Sequence, residues 1–185
     1  MPIWRLDHGD ASIPPMKNIR LRSYKDIGTI LVADGSLTLE RLRDAQEIQR
    51  ASMVPLGRTL VELGFINEWD LARAISKELS LPFVRLKLAA PSGDAINKLD
   101  AGTMHHQRMF CLESFDGVDT LIITEPPTIE VMSDISPLLA DKVFLVVALL
   151  SDVEAVLNVA VPKPNATEPN GAEVSAEDIL NGFGT

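Results

Sequence analysis

The sequence predicts an α+β protein: an N-terminal helical-hairpin repeat bundle followed by a small α/β sandwich in the order αββαβα. Three observations carry this. Residues 26 to 49, DIGTILVADGSLTLERLRDAQEIQ, reappear in outline as residues 55 to 78, PLGRTLVELGFINEWDLARAISKE. Gly28, Leu31, Val32, Gly35, Leu42 and Ala45 of the first copy align with Gly57, Leu60, Val61, Gly64, Leu71 and Ala74 of the second. Farther on, MFCLESF (109–115) and TLIITE (120–125) flank Asp116-Gly117, and Asp-Gly between apolar runs is a hairpin signal because both turn positions need positive φ. Last, VFLVVAL (143–149) is a continuous apolar strand that runs into a helix-forming stretch.

Taken in order, residues 1–22 form an arm, with Pro2, Pro14 and Pro15 and little periodicity. Trp4 either packs onto the body or meets a partner. Lys17, Arg20, Arg22 and Lys25 cluster without an acid, as a solvated face or as a contact to an anion or acidic surface. Residues 23–80 form the helical subdomain. In each repeat a short apolar-periodic helix ends at Gly35 or Gly64, since glycine just past a helix adopts the left-handed conformation cheaply. Thr38 or Asn67 then caps a second helix. Its inward stripe is Leu42, Ala45, Gln46 and Gln49, or Leu71, Ala74, Ile75 and Glu78, at the spacing that shares one helix face. A five-residue spacer, 50–54, lets the two hairpins bury their faces together.

Residues 81–161 form the small α+β subdomain. FVRL (83–86) is a short strand or extended link, and a helix capped by Ser92 runs to Leu99. The hairpin follows, then a helix opened by Pro127 and Thr128 that continues to about Ile135. After the strand at 143–149, Ser151-Asp-Val-Glu154 reads as a capping box for the last helix. Residues 162–185 are a polar linker and an acidic tail. Ile179, Leu180 and Phe183 in that tail make either a frayed end or a docking peptide.

Composition excludes whole classes of function. The 185 residues carry a formal charge of −9, and phosphate neutralisation needs clustered Lys and Arg, so no nucleic-acid polymer is expected as partner. One cysteine, Cys111, excludes an internal disulfide and a multi-Cys zinc site; it reads as a buried structural thiol. The adjacent His105 and His106 point to different helix faces and read as surface residues. No P-loop, GxSxG or HExxH motif is present. The expectation is no enzyme, no catalytic residue, no metal and no resident cofactor. The longest apolar run, 143–150, is far short of the roughly 20 residues that span a bilayer, so the reading is cytoplasmic, without direct membrane insertion, and membrane-associated only through a partner.

The doubled unit, the link LSLPFVRL, the stretch ITEPPTIEVMSDI and the closing VFLVVALLSDVEAVL together resemble the N-terminal domain of the type II secretion and type IV pilus assembly ATPases, the GspE or MshE N-terminal domain family. The resemblance covers roughly residues 23 to 160 and leaves out the ATPase half. It implies a docking or regulatory domain in a secretion, pilus or exopolysaccharide export system. The implied partner is a protein, either a membrane-associated export component or a motor ATPase. It also implies a possible ligand, cyclic di-GMP, clasped by the two repeats through Ile27, Gly28, Leu42, Gln46 and Gln49 and through Leu56, Gly57, Arg58, Leu71 and Ile75. Gly28 and Gly57 serve either close ligand approach or close helix packing, since glycine in a first helical turn costs about 1 kcal/mol against alanine.

Two departures from the family pattern stand out. Its leading arginine is Asp26 in the first copy and Pro55 in the second, and its closing glutamine is kept as Gln49 but replaced by Glu78. Asp26 suits a helix start and Pro55 a first helical position. The expectation is therefore a non-catalytic docking domain with a degenerate cyclic di-GMP site; the alternative is a functional cyclic di-GMP receptor controlling the same system, with Arg58, Arg50 and the basic cluster supplying charge.

Overall fold

Each repeat folds as a helical hairpin. In the computed structural model, which describes residues 26–52, 54–86 and 91–161, α1 (Ile27–Ala33) and α2 (Leu39–Ser52) form the first, and α3 (Leu56–Glu62) and α4 (Glu68–Leu79) the second. The readings made for the arm 1–22, for the basic cluster ending at Lys25 and for the tail 162–185 lie outside the described residues. Gly35 and Gly64 sit at φ 77° and 66°, where a side chain would be strained. There the chain reverses while the amides of Ser36 and Leu37 donate to the Leu31 carbonyl, and those of Phe65 and Ile66 to that of Leu60. The Thr38 hydroxyl then accepts from the Arg41 amide at 3.3 Å, and the Asn67 side chain from the Asp70 amide at 2.8 Å. The caps read from sequence are in place.

The two hairpins pack with a two-fold-like exchange. α1 lies on α4, and α2 lies on α3; swapping the copies turns one pair into the other. Leu31 and Leu60 hold equivalent places and are completely buried. Lys77 at the end of α4 reaches Asp34 at the end of α1 at 3.4 Å.

The helix starts differ from expectation by one position each. Asp26 is the N-cap of α1 rather than an acid within its first turn, and its carboxylate accepts from the Gly28 amide at 3.4 Å. Pro55 likewise precedes α3 with an extended ψ of 142°, and it offers α3 no side-chain cap.

A four-stranded sheet forms the remainder, in the order β1-β4-β3-β2, from β1 (Phe83–Val84), β2 (Phe110–Phe115), β3 (Val118–Ile123) and β4 (Lys142–Ala148). β4 runs parallel to β1 and β3, and β2 pairs antiparallel with β3. The hairpin turn has φ 49° at Asp116 and 72° at Gly117, the double positive φ expected of Asp-Gly. β4 is buried from Leu145 through Ala148, which explains its unbroken apolar sequence.

The order of elements departs from αββαβα. The helix expected to run to Leu99 ends at Ile96 as α5 (Gly93–Ile96), and a second short helix that was not expected, α6 (Ala101–Gln107), follows it. Ser92 caps α5 as expected, at 3.3 Å from the Ala95 amide. Asp100 caps α6, accepting from the Thr103 amide at 2.9 Å. After β3, α7 (Ile129–Ile135) is capped by Thr128, and a single 3₁₀ turn, Ser136–Leu138, leads to β4.

The expected capping box at Ser151–Glu154 does not form. The last helix, α8 (Leu150–Ala160), starts after Leu149, which gives no side-chain cap. Tertiary partners take the box residues instead. Ser151 donates its amide and its hydroxyl to Glu68 on α4, each at 2.8 Å. Asp152 accepts from Arg85 at 2.7 and 3.2 Å and from the Leu86 amide at 3.1 Å. Glu154 accepts from Arg108 at 2.9 Å.

A further ion pair in the sheet part involves a completely buried carboxylate. Asp119, completely buried on β3, accepts from Lys98 at 2.6 and 2.7 Å and from the Ala140 amide at 2.6 Å. Burial alone would raise its pKa, but the hydrogen bonds from Lys98, Ser114 and the Ala140 amide, with the Lys98 charge, together outweigh burial and hold it below the usual carboxylate range. Cys111 is buried as expected, and burial pushes its thiol up to about 11, so it is unreactive.

Candidate functional site

Of the residues assigned by resemblance, Gly28 with Leu42 and Gly57 with Leu71 form matched pairs at the starts of α1 and α3, the two half-sites of that assignment. At the first, Gly28 is buried with the Leu42 side chain against its backbone; a Cβ placed there would collide with Leu42 Cδ1 and lie 3.1 Å from Cδ2. At the second, Leu71 covers Gly57, with Cδ2 at 3.2 Å from such a Cβ. Close helix packing is thus one reason for both glycines. Ile27, Leu56 and Ile75 lie in the core, and Ile75 is completely buried; their side chains hold the half-sites in place from beneath. Gln46 and Gln49 are half-buried on α2. Arg58 is half-buried and tied to Glu62 at 2.6 Å. Glu78 is exposed at the end of α4.

Sequence reasoning missed Glu125, which completes the second half-site. It follows β3, and its two oxygens accept from the Gly57 amide at 2.9 Å and the Arg58 amide at 3.3 Å. These amides belong to the first turn of α3 and have no partner within the helix. A Cβ on Gly57 would meet Glu125 Oε2 at 3.1 Å, so the carboxylate lies directly on the glycine. Asp26 does the same for α1 from its own N-cap position. Both glycine amides therefore face an acid, one local and one supplied from 68 residues away. The only local hint was Pro55, which leaves α3 without a cap of its own. Burial pushes Glu125 up to about 7, against the opposing pull of the two amides and of Arg58.

Other surfaces offer less. A cleft of ≈ 610 Å³ follows the second hairpin turn past Phe65, Asn67 and Glu68, and a smaller one of ≈ 170 Å³ lies beside Asp34 and Lys77. Of the residues matched to the family's site, none lines the first and only Glu78 lines the second. Among the described residues no group of three or more His, Cys, Asp and Glu is arranged to hold a metal. His105 and His106 lie on α6, where His105 is half-buried rather than at the surface, with Nε2 3.0 Å from the Val161 carbonyl. Among the described residues no helix is long and apolar enough to cross a membrane.

No family model matches the chain. Over 61 residues it is 34% identical to the type IV pilus assembly ATPase PilB of Myxococcus xanthus (strain DK1622), a match that takes in 33% of this chain and 11% of the relative. The match therefore spans about a tenth of that protein's length. Among solved structures, MshE with cyclic di-GMP superposes with a TM-score of 0.55 at 24% identity, covering 72% of this chain and 97% of that one. The N-terminal domain of XpsE, in two crystal forms, gives TM-scores of 0.51 and 0.57 at 22% identity. The two forms cover 74% and 72% of this chain, and 96% and 92% of the XpsE chains.

Proposed function

For a chain that folds as the N-terminal domains of MshE and XpsE do, we propose a non-catalytic docking or regulatory role, exercised through protein–protein contacts in a type II secretion, type IV pilus or exopolysaccharide export system. The partner is a membrane-associated export component or a motor ATPase, and the chain works in the cytoplasm. The division into a helical part at 23–80 and a sheet part at 81–161 belongs to the same proposal, as does a cyclic di-GMP site that has degenerated. The observation that carries it is the pair of carboxylates on the two repeat glycines, Asp26 on Gly28 and Glu125 on Gly57. A dianionic nucleotide approaching either backbone meets an acid, Asp26 at a position where the family pattern has arginine and Glu125 beside Pro55, the other such position.

A second reading, a working cyclic di-GMP receptor, draws on the retained frame: Gly28 beneath Leu42, Gly57 beneath Leu71, and half-buried Gln46, Gln49 and Arg58. Calorimetric titration with cyclic di-GMP at near-physiological salt, with cyclic di-AMP as control, separates the two. The docking reading expects no heat and no thermal shift; selective low-micromolar binding would overturn it in favour of the receptor.

A further inference from the structure

The two parts of the molecule cap each other's helices. Pro55 precedes α3 and Leu149 precedes α8, and neither residue supplies a side-chain cap. Glu125, from the sheet part, takes the first-turn amides of α3. Glu68, from the helical part, takes the amide and hydroxyl of Ser151 in the first turn of α8. The two contacts run in opposite directions across one junction, and the second fixes the sheet part where it can deliver Glu125 to Gly57. Glu125 does not cap the helix that follows it; Thr128 does.

We propose that Glu125 is an autoinhibitory contact, an acid of the chain itself that occupies the second repeat and withholds it from an anionic nucleotide. The inference rests on reading the repeats as a degenerate cyclic di-GMP surface, and it names what closes that surface. The half-sites differ in how their acids are held. Asp26 is two residues from Gly28, whereas Glu125 arrives on a separate segment. Withdrawal of that segment frees Gly57 and Arg58 without unfolding the hairpin, because Leu60, Leu71 and Ile75 hold α3 and α4 from the core side.

The test uses the full chain and two readouts. Amide hydrogen exchange at Gly57 and Arg58 reads the contact itself: with no acceptor inside the helix, both amides are expected to exchange about tenfold faster in Glu125→Ala, while Gly28 keeps its rate. Titration with cyclic di-GMP reads the inhibition: no binding by the wild type, and measurable binding by Glu125→Ala. Glu125→Gln keeps the size and an acceptor oxygen without the charge, and carries the binding readout should the alanine form fail to fold. Unchanged exchange at Gly57 would show that the contact is absent and sink the proposal. Released amides with no binding by either variant would overturn the inhibition and leave the docking reading intact. Tight binding by the wild type would overturn both.

Discussion

Replacing Glu125 by glutamine should change how stability depends on pH. The folded protein holds this carboxyl at about 7 against an ordinary 4.5, chiefly through burial. A group whose pKa is raised on folding adds stability that is full below the unfolded value and is lost as pH rises through the folded one. The linked free energy is about 1.4 kcal/mol per pH unit over that interval, or about 3 kcal/mol in all. Arg58 is the cation that acts on Glu125, and Glu62 holds it at 2.6 Å. Glutamine at 125 has nothing to titrate. The stability of wild type relative to Glu125→Gln, from urea denaturation at steps between pH 4.5 and 8, should therefore fall by about 3 kcal/mol as pH rises. A difference that stays flat would mean the carboxyl is not desolvated. A difference that grows with pH would mean that the Gly57 and Arg58 amides dominate over burial, and the reasoning would be refuted in sign.

Three further outcomes follow from the same structure. Leu31→Ala and Leu60→Ala remove equivalent, completely buried side chains and should each lose about 2–5 kcal/mol in denaturant titrations, with closely similar values; a large disparity would contradict the two-fold-like packing. Lys98→Ala leaves Asp119 buried without its cation and should lose about 3–5 kcal/mol at neutral pH, with partial recovery in acid as Asp119 takes a proton; an equal loss at all pH values would argue against an ionised Asp119. Glu68→Ala deletes the cap on Ser151 and should lose about 1 kcal/mol by the same titration, whereas no loss would show that solvent replaces it fully.

Features set by near neighbours in the chain were legible in the sequence. The reversals at Gly35 and Gly64 and the caps at Thr38, Asn67, Ser92 and Thr128 each depend on residues within one turn. The same holds for the Asp116-Gly117 turn. The features that were missed depend on distant partners or weak signals. Ser151 to Glu154 has the spacing of a capping box, yet Glu68, Arg85 and Arg108 claim its side chains from outside the helix. α6 has only one fully buried residue, Met104, and it ends at Arg108 in a left-handed conformation rather than at a glycine; its start signal was the Asp100–Thr103 pair. The half-site glycines were found through the repeat. Glu125 was not, since a side chain that acts across 68 residues leaves no periodic trace near Gly57.

The reciprocal caps also bear on the order in which the chain assembles. The hairpins of α1 with α2 and α3 with α4 close over short loops, while the Glu125–Gly57 and Glu68–Ser151 contacts span 68 and 83 residues. Each cap needs a hairpin and the sheet already in place, so the expected order puts both after the folding barrier, to be checked by refolding and unfolding rates of the Glu68 and Glu125 variants. Changes at Glu68 or Glu125 then leave the refolding rate nearly unchanged and speed unfolding. The junction sets how long the native protein persists rather than how quickly it is reached.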